Sequence, residues 1–120
     1  MRKATIRIRR DTEKALEQMG RRFVKHWKSG RATEDTLEFE SPAALFLVLT
    51  PKRWALVERL QQNGPTSIRR LARDLERDVK RVHGDVRTLM GHGIIARGDD
   101  GNIRVPYDVI HAEFDLHSVA

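Results

Sequence analysis

Residues 66–92 read TSIRRLARDLERDVKRVHGDVRTLMGH, and the interpretation of this stretch decides the fold. Ser67 is suited to starting a helix, because its hydroxyl can accept a hydrogen bond from a free backbone N–H two or three residues on. Ile68, Leu71, Ala72 and Leu75 then recur at helical spacing on one face, with Arg69, Arg70 and Arg73 pointing elsewhere. Asp78 is a second capping residue, and a longer helix is expected after it. In that helix Val79, Val82, Val86, Leu89 and Met90 make an apolar stripe at spacings of three and four. The opposite side carries Lys80, Arg81, Gly84, Arg87, Thr88 and Gly91. The stretch therefore predicts two short helices joined by a tight turn.

The outward side of the second helix carries the functional signal. It is basic, and it has a glycine in mid-helix, where glycine costs roughly 1 kcal/mol against alanine. A missing side chain lets a helix backbone approach another surface, such as the floor of a DNA major groove. Arg and Lys can pair with guanine edges and with phosphates. An ordinary solvated helix face is the competing explanation. The position of the helix, between a capped short helix and a hairpin signal, favours DNA. Asp85 is placed to pair with Arg81 one turn back, and His83 reads as a boundary residue.

Outward from this stretch, Thr50-Pro51 is a capping threonine followed by proline at the first helical position. The helix it opens continues to Gln62 and stops at Asn63-Gly64-Pro65. Trp54, Val57 and Leu60 are expected to pack it on the central pair. Ser41-Pro42 opens a short apolar segment, Ala43 to Leu49, read as helical. After the reading helix, Ile94 to Arg97 and Ile103 to Val105 flank the turn-forming run Gly98-Asp99-Asp100-Gly101-Asn102 and predict a hairpin. Arg97, Asn102 and Arg104 are its candidate phosphate or minor-groove contacts. Asp99 and Asp100 at the tip repel phosphate, so contacts are expected from the flanks.

At the N-terminus, Ala4 to Arg10 alternates with Ile6 and Ile8 on one face. A helix follows, capped by Asp11 or Thr12, with Leu16, Met19, Phe23 and Trp27 at helical spacing up to about Lys28. Leu37 and Phe39 alternate with Glu38 and Glu40 in a second strand. Val109 to Leu116 alternates again, with Ile110, Ala112, Phe114 and Leu116 on one side. This acidic strand is expected beside the basic first strand, in the same subunit or in a partner. The division is thus 1–40, an N-terminal strand-helix-strand arm serving as a dimerisation element, and 41–120, holding the two-helix unit, hairpin and C-terminal strand.

The chain has 120 residues, 39% of them hydrophobic, enough for one modest core. Its net charge is +6, which suits a polyanionic partner. The excess is uneven: residues 1–31 hold eleven Lys/Arg against three Asp/Glu, while 93–120 hold two against five. There is no cysteine, so disulfides and thiolate metal sites are excluded. No apolar run reaches transmembrane length and no signal-peptide core is present, so a cytoplasmic protein without membrane contact is expected. Phosphate-binding glycine loops, HExxH and serine-nucleophile elbows are absent. His26, His83, His92, His111 and His117 lack metal-ligand spacing. A non-enzyme without cofactor or metal is the expectation.

The segments LTPKRWALVERL (49–60), SIRRLARDLERDVKRVHGDVRTLMGHGII (67–95) and VPYD (105–108) resemble a family of small prokaryotic DNA-binding proteins, the MarR-like winged helix-turn-helix regulators. The likeness extends to the N-terminal TIRI and LEFES segments. It rests mainly on Leu49-Thr50-Pro51-Lys52-Arg53, Ser67-Ile68, Leu71-Ala72, Arg77-Asp78, Val82-His83 and Asp85-Val86. Glu76 stands where such regulators often have glycine. The resemblance implies an α+β winged helix-turn-helix that binds duplex DNA sequence-specifically as a homodimeric repressor. Lys80, Arg81, Gly84, Arg87 and Thr88 would enter the groove. Ser67, Arg69, Arg70, Arg73, Lys52 and Arg53 would hold the backbone. Genes of this type can lie beside toxin-like genes, so the alternative is an antitoxin or interaction module that neutralises a cognate toxin-like protein and autoregulates its operon.

Overall fold

The structure is a computed structural model, and it describes residues 2–9 and 35–116. The helix expected between Asp11 and Lys28, and its stop at Gly30, lie outside the described residues. Along the chain run β1 (Lys3–Ile8), β2 (Asp35–Phe39), α1 (Pro42–Val48), α2 (Pro51–Asn63), α3 (Ile68–Asp74), α4 (Val79–Gly91), β3 (Ala96–Arg97), β4 (Ile103–Arg104) and β5 (Val109–Ala112). The class is α+β.

Each of the four described helices begins where its sequence signal predicts. The side chains of Ser41, Thr50, Ser67 and Asp78 accept from the backbone N–H of Ala44, Arg53, Arg70 and Arg81. Each bond satisfies a donor that the first helical turn would leave free, and a cap of this kind is worth about 1 kcal/mol. Pro42 and Pro51 occupy first-turn positions, where proline forfeits no intrahelical bond.

β1 is the middle strand of a parallel sheet ordered β2-β1-β5. Ile6 stands beside Leu37 on one flank and beside Ala112 on the other. The sequence left open whether the C-terminal strand pairs within the subunit, and here it does. Arg2 ties the three strands at one end. Its backbone N–H donates to the Asp108 carboxylate at 2.7 Å, its guanidinium binds Asp35 at 2.7 Å, and its charge lies 5.1 Å from the centre of the Tyr107 ring. The second sheet is the antiparallel hairpin β3-β4.

Ala4, Ile6, Ile8, Leu37 and Phe39 join the same core as Leu45, Leu56, Leu60, Leu71, Val82, Val86 and Leu89. The boundary expected at residue 40 therefore marks a change of element type and not a gap in the core. Several packing expectations are corrected. Trp54 is 54% exposed, and Leu56 takes the buried place beside Val57 and Leu60. Val79, the first residue of α4, is also exposed, at 44%. Ile94 and Ile95 are buried but precede the hairpin ladder, which starts at Ala96. β5 ends at Ala112, leaving Leu116 exposed, because its ladder with β1 ends at Ile6–Ala112.

Candidate nucleic-acid interface

α3 and α4 form one packed unit, with Leu71 and Ala72 of α3 and Val82, Val86 and Leu89 of α4 buried. The turn between them is set by Glu76, whose φ of 54° lies in the left-handed region. A non-glycine residue there costs about 1–2 kcal/mol. Backbone bonds from Glu76 N to Arg73 O (3.1 Å) and from Arg77 N to Ala72 O (2.9 Å) hold the turn closed.

Asp85 sits mid-way along α4, and its partners are not the expected Arg81. It accepts from Arg53 Nε at 2.9 Å and from Arg77 Nη2 at 2.6 Å. These three side chains are mostly shielded from water. Arg53 also donates to the carbonyls of Leu47 and Val48. The cluster pins α4 to the junction of α1 and α2 and to the turn before it. Burial pushes the Asp85 carboxyl up, but the two guanidinium groups outweigh burial and hold it below the usual carboxylate range. Arg53, expected among the phosphate contacts, is thereby committed inward.

The hairpin is fastened to the start of α3. Thr66 and Ile103 exchange both backbone bonds, at 3.1 and 2.8 Å, so the residue before the Ser67 cap acts as a third short strand. The far end of α4 is fastened too. Tyr107 Oη donates to Gly93 O at 3.1 Å, and the His92 ring stacks on Phe39 of β2 with centroids 5.4 Å apart. Gly93 has a φ of 77°, which lets the chain leave α4 sharply. Sequence reasoning quoted Tyr107 and Arg77 only within the VPYD and Arg77-Asp78 segments of the resemblance and gave neither a role. Those two short segments, one before the alternating C-terminal strand and one before α4, are the signals that mark their positions.

With both ends held, α4 presents one side outward. Lys80, Arg81, Gly84 and Arg87 are exposed and Thr88 is half-buried. A Cβ at Gly84 would meet nothing within 4 Å, so the glycine is not required by packing inside the protein. Ser67, Arg69, Arg70 and Arg73 are exposed along α3, and Lys52 at the start of α2. The cations of α3 and α4 contrast with several elsewhere, although Arg7, Lys52, Arg59 and Arg97 also form no ion pair among the described residues. Arg2, Arg9, Arg53, Arg77 and Arg104 form ion pairs. Among the described residues, Arg69, Arg70, Arg73, Lys80, Arg81 and Arg87 form none.

The hairpin contributes less free charge than expected. Asp100 accepts from Arg104 Nη2 at 2.8 Å and from Asn102 N at 3.0 Å, which lowers its carboxyl, the Asn102 bond being the larger cause. The Arg104 guanidinium folds over Gly98, where any side chain would collide with it. Arg97 is exposed and donates to Gly101 O within the turn. Of the three hairpin candidates, Arg97 keeps the most accessible charge, because Asp100 engages the other two.

Among the described residues no group of His, Cys, Asp and Glu side chains is arranged to hold a metal ion, and no helix is long and apolar enough to cross a membrane.

Residues 48–112 match the HVO_A0114 family, and the chain belongs to that family. The match runs from the end of α1 through β5, so it contains the two-helix unit, the hairpin and Tyr107, which bonds Gly93 at the end of α4. No curated protein and no solved structure matches the chain.

Proposed function

We propose that this protein is a winged helix-turn-helix regulator of transcription that binds duplex DNA sequence-specifically, as a dimeric repressor in the cytoplasm. α3 and α4 are the helix-turn-helix, and the β3-β4 hairpin is the wing. The carrying observation is the outward side of α4. Its Lys80, Arg81 and Arg87 are exposed and without internal ion pairs, and they surround a glycine that no internal contact demands. Unpaired guanidinium groups on a rigidly held helix can form bidentate bonds to guanine edges in the major groove. The bare backbone at Gly84 lets the helix axis sit deep. Ser67, Arg69, Arg70 and Arg73 of α3, with Lys52, supply backbone contacts that set register without reading sequence. Arg97 does so from the wing, and Asn102 and Arg104 reach phosphate only by releasing Asp100.

Selection of binding sequences from random duplexes with the purified chain tests this reading. A two-fold symmetric consensus is the expected result, and recovery of no enriched sequence overturns it. Arg87→Ala should lose affinity for the selected site far more than for unrelated duplex. An equal loss on all sequences would assign Arg87 to phosphate contact instead.

A further inference from the structure

β5 forms one edge of the parallel sheet. β5 pairs with β1 on one side only, and among the described residues no strand lies on the other. The alternation of apolar and polar residues nevertheless continues to Leu116, four residues past the last rung of the ladder. Exposed strand edges are commonly blunted by lysine, proline or a bulge, and residues 109–116 contain no lysine and no proline. Beside the edge lies an apolar cleft of about 90 Å³, lined by Ile6, Leu49, Trp54, Val57, Ile110 and Ala112 among others. Trp54 in its lining is 54% exposed, Phe46 of α1 is 57% exposed and touches Phe114 edge-on, and Leu116 beyond β5 is 91% exposed.

We propose that this edge is a homodimer interface, in which two copies pair β5 antiparallel about a two-fold axis centred on Ala112. The sequence around that centre is self-complementary. Antiparallel pairing about Ala112 sets Ile110 opposite Phe114 of the second copy, and both belong to the side packed on the core. It sets His111 opposite Glu113 of the second copy, and both are exposed on the outer side. Within one chain these two groups are 3.5 Å apart, a loose contact that leaves both free to turn to a partner. A two-fold axis makes each pairing occur twice, as an isologous contact requires. A strand pair alone falls short of the roughly 800 Å² per partner of a stable interface. The cleft and the exposed Phe46, Trp54 and Leu116 supply further apolar area. The resulting sheet would have six strands, with β2 at each outer edge.

This inference deepens the dimeric part of the proposed function, and it is read without DNA, so its failure is distinct from failure of DNA binding. Sedimentation equilibrium of the full chain should show a dimer. His111→Glu should weaken it about tenfold, since two like-charge pairs replace two favourable ones. A mixture of H111E and E113K chains should form heterodimers in preference to either homodimer, because Glu at 111 of one then faces Lys at 113 of the other. Both positions are exposed, so circular dichroism should show an unchanged fold. A monomer at concentrations well above micromolar, a dimer insensitive to H111E, or statistical mixing of the two variants would each overturn the assignment.

Discussion

Glu76 is where the two-helix unit turns, and it does so in a conformation that favours glycine. Replacing Glu76 with glycine removes the left-handed cost but adds freedom to the unfolded chain. The balance predicts a gain of up to about 1 kcal/mol for Glu76→Gly. Glu76→Val should instead lose stability, because a β-branched residue resists positive φ. Urea melts of the three proteins decide it, and equal midpoints would show that the turn is not held in this conformation. Asp85 carries the opposite lesson, a charge whose value depends on partners distant in sequence. Asp85→Asn leaves two shielded guanidinium groups undercompensated and should cost about 2–3 kcal/mol. Its carboxyl is held low in the folded state, so its contribution is present above the ordinary carboxylate range and lost as pH falls through the folded value. The parent should therefore lose stability faster than D85N as pH falls from about 5 to 2. Parallel curves would remove Asp85 from the account.

At the scale of the element, α4 is a helix held at three points: by its Asp78 cap, by Asp85 at its middle, and by the His92 and Gly93 contacts at its end. Such a helix has little freedom to adjust to a ligand, so its outward side must already fit what it meets. Gly84 makes this testable. Gly84→Ala should stabilise the free protein by about 1 kcal/mol, since alanine is the better helix former and its Cβ meets nothing. The same methyl should weaken DNA binding if the backbone at 84 approaches the groove floor. A thermal melt and a binding titration on one variant therefore move in opposite directions. A more stable variant with unchanged affinity would place Gly84 on a solvent face.

For the whole molecule, charge is distributed between structure and surface. Ion pairs absorb Arg2, Arg9, Arg53, Arg77 and Arg104 into the sheet ends, the α1–α2 junction and the hairpin. The unpaired cations of α3 and α4 remain exposed on the two-helix unit. If about six phosphates are neutralised, the logarithm of the binding constant should fall with the logarithm of salt at a slope near −5. Arg69→Ala should reduce that slope by about one, whereas Arg53→Ala should lower stability and leave the slope unchanged. A slope lowered equally by both would mean that Arg53 reaches phosphate despite its partners.

The helices were legible because their signals are local. Four capping residues, two first-turn prolines and the spacing of Val82, Val86 and Leu89 each act within one or two turns. The outward placement of Lys80, Arg81 and Arg87 follows from that spacing alone. The β1–β2 and β1–β5 ladders were suggested by alternation, but alternation does not select a partner, and contact between residues 6 and 112 is a property of the folded chain. Which arginines are free is equally a tertiary matter. Arg53 and Arg81 are alike in sequence, but Asp85, reached across 32 residues, and the carbonyls of Leu47 and Val48 turn Arg53 inward. Periodicity decides which side of a helix is wet, because it depends on backbone geometry common to all chains. Pairing of charges depends on distances that exist only once the core has closed.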